Sequence, residues 1–211
     1  MKKVISGLLS MLFTFGMVSN VSALTQISNM ATKNYTIQSG DSMWIICNKF
    51  QVGISEVVSL NPQISDPNNI YTGRTLAIPN IDAIKAIESQ VITIVNRERA
   101  NAGLSGLSLN WQLSRVARYK AEDMRDKNYF SHTAPVYGSP FEMMKNFGIS
   151  FSAAGENIAM GQQSPTEVMN SWMNSSGHRQ NILNTRYTEI GVGIAKSSNG
   201  SIYWVQQFIK R

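Results

Sequence analysis

Three side chains in this 211-residue chain have the type and setting for chemistry. Glu156 lies in the phrase GENIA, His178 in SSGHRQNIL, and the only other histidine, His132, in YFSH. Each has a turn-like or helix-end context, so the three can converge on one polar cavity. Two neutral imidazoles and a carboxylate are the protein ligands of a catalytic zinc site with water in the fourth place. A metal held that way lowers the pKa of its water and drives hydrolysis. Against this, the chain has no HExxH helix, and nothing besides Glu156 stands out as a general base. The competing reading needs no reaction, because a buried His-Glu-His hydrogen-bond network fixes how loops pack. Both stay open on sequence.

Other chemistries are weaker. Ser131, Ser175 and Ser176 lie near a histidine in the chain, but adjacency is not triad geometry and no GxSxG elbow exists. A glycosidase or aspartic-protease pair needs two facing carboxylates, and the neighbouring acids have other work. Ser139-Pro140-Phe141-Glu142 and Ser164-Pro165-Thr166-Glu167 each put serine at a helix cap, proline first and glutamate third, a capping box that makes Glu142 and Glu167 structural. Asn157 and Arg179 read as loop and surface anchors.

These residues must be positioned by an ordinary globular fold. The composition is 43% hydrophobic and 15% charged, enough apolar content to bury a core. Lys2 and Lys3 precede an apolar run from Val4 to Val18 and the small-residue pattern Val21-Ser22-Ala23, which reads as a secretory signal over residues 1–23. The run is shorter than the ~20 residues a membrane span takes, so no stable span is expected after cleavage. The net charge falls from +6 to +4 with the two lysines removed, a mild basicity suited to an anionic envelope. Basic residues are scattered, with no aromatic-basic platform, so nucleic acid is not an expected partner. The single cysteine, Cys47, allows no internal disulfide, and its place on an apolar helical stripe makes it a buried small hydrophobe.

After a flexible leader over 24–33, residues 34–79 read as strand, helix, helix, strand. Tyr35-Thr36-Ile37 is strand-like, and Met43, Ile46, Cys47 and Phe50 recur at helical spacing. Ser55 is the expected cap of a second helix that ends at Asn61-Pro62, and Thr75-Leu76-Ala77-Ile78 closes the module. YTIQSGDSMWIICNKF, SEVVSLNPQI and IYTGRTLAIP together resemble a lysin motif (LysM) domain along its whole length. That resemblance implies binding to N-acetylglucosamine-containing glycan such as peptidoglycan. It places the groove between Gly40, Asp41, Ser42 and Met43 on one loop and Asn69, Ile70 and Tyr71 on another.

A short linker, 80–83, leads into residues 84–211. Asp82 is a fair cap for a helix with Ile84, Ile87, Val91, Ile94 and Val95 on one face. Asn110 opens another, with Leu113, Val116, Ala117, Ala121 and Met124 inside and Arg115, Arg118, Lys120, Glu122 and Asp123 on a solvated face. Ile190-Gly191-Val192-Gly193-Ile194 alternates at period two, and Asn199-Gly200 separates it from Ile202–Ile209, a hairpin signal. The layout is α+β. YFSH, GENIA, SWMNSSGHRQNIL, TEIGVG and YWVQQF, in this order, resemble the CAP superfamily of cysteine-rich secretory and pathogenesis-related proteins, in its disulfide-free bacterial branch.

The resemblance implies an α-β-α sandwich around an antiparallel sheet, with a cavity of two histidines and two acids able to hold a divalent cation, zinc or magnesium. His132, Glu156 and His178 match three of the four positions. The fourth is Ser175, which loses a charge and weakens metal binding. The expected protein is exported to the wall or a spore layer, binds glycan through LysM, and offers the cavity to a ligand or an envelope protein. The alternative is a metal-dependent hydrolase of peptidoglycan or peptide. A lipid carrier or secreted peptide source has no discriminating residue here.

Overall fold

The computed structural model describes residues 31–211, so the expected signal and most of the leader lie outside the described residues. The first module has β1 (Thr32–Thr36) antiparallel to β2 (Thr75–Pro79), with α1 (Met43–Phe50) and α2 (Ile54–Leu60) between them. β1 begins two residues earlier than the module boundary read from sequence. Ser42 caps α1 by accepting from the Ile45 amide at 3.2 Å. α2 starts two residues earlier than expected: its N-cap is Gly53, not Ser55, because the Glu56 carboxylate reaches back to accept the Gly53 amide. Cys47 is buried, and desolvation pushes its thiol up to about 11, so it stays protonated.

The larger part contains α3 (Asp82–Asn101), β3 (Ser108–Leu109), α4 (Trp111–Asp126), α5 (Pro140–Asn146), β4 (Ala153–Met160), α6 (Pro165–Asn174), α7 (Ser176–Ile182), β5 (Glu189–Lys196) and β6 (Ile202–Lys210). Its sheet has the order β3-β5-β6-β4, antiparallel except for the short parallel edge strand β3. The fold is α+β, with helices on both faces of that sheet. Ile190, Val192, Ile194, Trp204 and Phe208 face Val91, Val95, Met169 and Trp172 of α3 and α6. Ala195, Tyr203, Val205 and Ile158 face Ala117, Ala121 and Met124 of α4. Strand alternation thus sends Gln206 and Asn157 to one face and Gln207 and Glu156 to the other. The central strand β6 is buried along nearly its whole length.

Helix starts largely follow the sequence. Asn110 accepts from the Leu113 amide at 3.0 Å, and Ser139 and Glu142 complete the expected capping box. Ser164 caps α6 as well, but Glu167 accepts from the Gln163 amide instead of that of Ser164. Asp82 is the first residue of α3 rather than its cap, and its carboxylate holds Lys33 of β1 at 2.8 Å.

The face of α4 read as solvated is covered. Arg115 Nε donates to Glu56 Oε1 at 2.8 Å, and the Tyr119 hydroxyl donates to the same oxygen at 2.5 Å. Arg118 Nη1 donates to the Gln51 carbonyl at 3.1 Å while its Nε and Nη2 grip both oxygens of Glu88 at 2.7 and 2.9 Å. Burial and the Glu56 contact push Tyr119 up to about 12, keeping it a donor. The first module is therefore clasped to α4, and its core runs without a break into that of α3. Glu56→Ala removes the acceptor of three donors at once; the expected loss is about 1–3 kcal/mol, seen as a lower unfolding temperature and faster amide exchange in α2.

Candidate functional site

The first candidate site lies on the small module. Asn69, Ile70 and Tyr71 line a groove of about 320 Å³ together with Ile37, Gln63, Ile64, Ser65, Arg74, Thr75 and Leu76. The loop expected to form the opposite wall is absent from that lining. Its side chains are engaged locally: Asp41 accepts the Tyr35 hydroxyl at 2.6 Å and the Gln38 amide at 2.8 Å, Ser42 caps α1, and Met43 is in the core. The Tyr35 hydrogen bond, then the Gln38 amide, hold the Asp41 carboxyl below its usual range. Gly40 adopts φ +88°, the left-handed turn that favours glycine. Gln63, Ile64, Ser65 and Arg74 were not anticipated, because the connection between α2 and β2 has no periodicity to show which residues turn inward.

The second site lies beside the edge strand β4. Glu156 was expected in a turn; it sits in the middle of β4, paired with Gln207 of β6. The glycine before it, Gly155, disguises the strand, yet a larger residue does not fit there, since a Cβ would lie 2.4 Å from the Tyr187 hydroxyl oxygen. The Glu156 side chain is 1% exposed, and its Oε1 lies 2.8 Å from His132 Nδ1, whose ring is 51% exposed. Its Oε2 accepts from Gln207 Nε2 at 3.0 Å. A carboxylate oxygen accepts, so His132 Nδ1 is the donor in this contact.

His178 is brought to the same region by α7. Asn157 donates to the His178 carbonyl at 3.1 Å, and Asn181 donates to the Glu156 carbonyl at 3.1 Å and to Asn157 Oδ1 at 2.9 Å. These bonds tie α7 to β4, so Asn157, read as a loop anchor, is a buried strand residue that anchors a helix. Burial, and secondly the charge of His132, lower the His178 imidazole below its ordinary value and favour its neutral form. Ser175 is the N-cap position of α7, and its side chain makes no capping hydrogen bond. Trp172 is core, donating its indole N–H to the Ile158 carbonyl.

Lys120 is the residue the sequence reading missed. It was counted among surface charges, and it is fully buried. Its Nζ donates to the Tyr129 hydroxyl at 3.1 Å and lies 4.8 Å from the centre of that ring. Tyr129 in turn donates to Asp123 at 2.5 Å.

The residues present do not fit a divalent cation. Among the described residues no group of three or more His, Cys, Asp and Glu side chains is gathered to hold a metal ion. Both Glu156 oxygens are taken by His132 and Gln207, and the His132 nitrogen nearest to them is spent on that contact. The ligand set His132, Glu156 and His178 is thus brought to one region without being assembled.

The order of strands and the placing of these side chains agree with one family. Residues 92–208 match the cysteine-rich secretory protein family, CAP. The chain belongs to the CAP family. Residues 35–79 match the LysM domain, so the CAP domain is preceded by a module of glycan-binding type. The uncharacterised protein YkwD of Bacillus subtilis is 54% identical over 138 residues, 65% of this chain and 52% of YkwD, so the chain spans about half of that relative. In structure the CAP domain is similar to an extracellular SCP-domain protein of Bacillus anthracis, with a TM-score of 0.57 and 32% identity, covering 61% of this chain and 42% of that one. An outer surface protein of Borrelia burgdorferi gives a TM-score of 0.54 and 25% identity, covering 58% and 91%. No helix among the described residues is long and apolar enough to cross a membrane.

Proposed function

We propose that this is an exported envelope protein that docks on peptidoglycan or a related N-acetylglucosamine glycan of the wall or a spore layer. The LysM domain is the docking module, and the CAP domain presents its cavity to a ligand or protein partner. The observation that carries this is the groove around Asn69, Ile70 and Tyr71. Amide and guanidinium donors from Gln63, Asn69 and Arg74 stand beside the apolar walls Ile37, Ile70 and Leu76. An N-acetyl group needs just such a set: a donor, an acceptor and space for a methyl. Similarity to extracellular and outer-surface proteins supports the location.

Tyr71 is 59% exposed, so its removal should leave the fold intact. Tyr71→Ala should weaken co-sedimentation with purified cell walls about tenfold, about 1.4 kcal/mol. A single LysM copy gives weak binding that repeats in the ligand reinforce, so intact sacculi are the right substrate. Unchanged sedimentation would remove the groove from the reading.

A second reading, wall or peptide hydrolysis, is favoured by one contact. A buried carboxylate on Nδ1 of a half-exposed imidazole is how a histidine general base is oriented. Release of soluble fragments from walls by the wild type, abolished in His132→Ala, decides for it.

A further inference from the structure

The unexplained group in the CAP domain is Lys120. A buried ammonium is unfavourable without a compensating charge, and two acids are near. Asp123 is already engaged, by Lys127 Nζ at 2.5 Å and by the Tyr129 hydroxyl. Glu156 has no such cation: its contacts are the half-exposed imidazole of His132 and the neutral amide of Gln207. Lys120 and Glu156 lie on the same side of the sheet, one on α4 and the other on β4 beside Gln207, in the layer that also holds Ala121 and Ile158. The charges are complementary; Lys120 meets buried Asp123 only through the Tyr129 hydroxyl, and Asp123 has Lys127 as its own cation.

We propose that Lys120 is the built-in cation on the Glu156 side of the sheet, the buried counter-charge with which Glu156 orients His132 without a divalent metal. Desolvation pulls the lysine below its ordinary value, and the charge of Glu156 opposes that more strongly than the charge of Asp123. The lysine touches no ligand itself. It is a positioning residue that acts through Glu156 on the imidazole. A divalent ion would enter a site that already holds a positive charge, with one carboxylate to share between them. The site is then suited to a neutral or anionic hydrogen-bonding group at the imidazoles. This holds whether the cavity binds or hydrolyses.

The chain has only two histidines, so their two ring signals in a proton NMR spectrum report the cavity directly. Zinc chloride titrated into the wild type should leave both signals in place. In Lys120→Met both should shift, with at least a tenfold gain in zinc affinity. Wild-type signals that shift at the same zinc concentration as the variant's would overturn the proposal.

A double-mutant cycle tests the pairing separately, because a purely structural lysine would not couple to the carboxylate. Lys120→Met and Glu156→Gln should each lower the unfolding temperature, and the double variant should lose less than the two losses added. If Lys120→Met alone fails to fold while the double variant folds, the coupling is shown more strongly. Simple addition, or a double variant worse than either single, refutes it.

Discussion

Arg118→Met is expected to destabilise the protein by about 3–5 kcal/mol, the cost of breaking a buried ion pair by removing one partner. Glu88 is 3% exposed and receives both of its close hydrogen bonds from Arg118. Burial raises the carboxyl, and the guanidinium opposes that rise. Without Arg118, Glu88 has to carry an unmatched charge inside the protein or take up a proton. The third guanidinium nitrogen holds the Gln51 carbonyl at the end of α1, so the same substitution also loosens the LysM domain from α4. In a chain of this size the loss should appear as a fall of roughly 10 °C in unfolding temperature. The companion Glu88→Leu/Arg118→Met should recover most of it, since apolar replacement of a whole buried pair is close to neutral. A single variant as stable as the wild type would mean that water reaches Glu88.

What the sequence conveyed, and what it hid, divides along one physical line. Local chemistry was readable. Asn110, Ser139 and Ser164 cap the helices they were expected to start, because a cap is decided within four residues. The family motifs placed His132, Glu156 and His178 around one region. Periodicity also gave the apolar face of α4 correctly, with Leu113, Val116, Ala117, Ala121 and Met124 all buried.

The same periodicity is silent about what lies over the polar face. There the LysM domain covers Arg115 and Arg118, and Lys120 is buried against Tyr129, although the sequence offered only a row of charges. A helical wheel separates apolar from polar positions, but a second layer of protein can solvate a charge as water does. Glu156 was misplaced for a related reason. Gly155 and Asn157 on either side of it weaken the strand signal, and the pairing with Gly155↔Phe208 and Asn157↔Gln206 that makes them strand is non-local.

The alternation Ile190-Gly191-Val192-Gly193-Ile194 was read as a strand, and its glycines carry a further demand that only packing reveals. A Cβ on Gly193 would lie 2.1 Å from the Arg118 amide nitrogen and 2.2 Å from the Ala117 carbonyl carbon; on Gly191 it would lie 2.4 Å from backbone atoms of Leu113 and Ser114. These are backbone atoms of α4, so no side chain can swing aside. The two glycines let α4 lie against β5 closely enough for the Val192 amide to donate to Ser114 Oγ at 3.1 Å. Gly193→Ala must push the helix off the sheet, and the expected loss is about 3 kcal/mol, the upper end for overpacking.

Because Lys120 stands on that helix and Glu156 on that sheet, the displacement should also disturb the cavity. The His132 ring signal should move in Gly193→Ala although the substitution is not in the site. Gly177→Ala is the matched control: it lies in α7 next to His178, has nothing within 4 Å of the added carbon and no left-handed backbone. It should be neutral or gain up to about 1 kcal/mol from reduced backbone freedom. A Gly193→Ala protein as stable as the Gly177→Ala one would show that α4 and β5 have room to part.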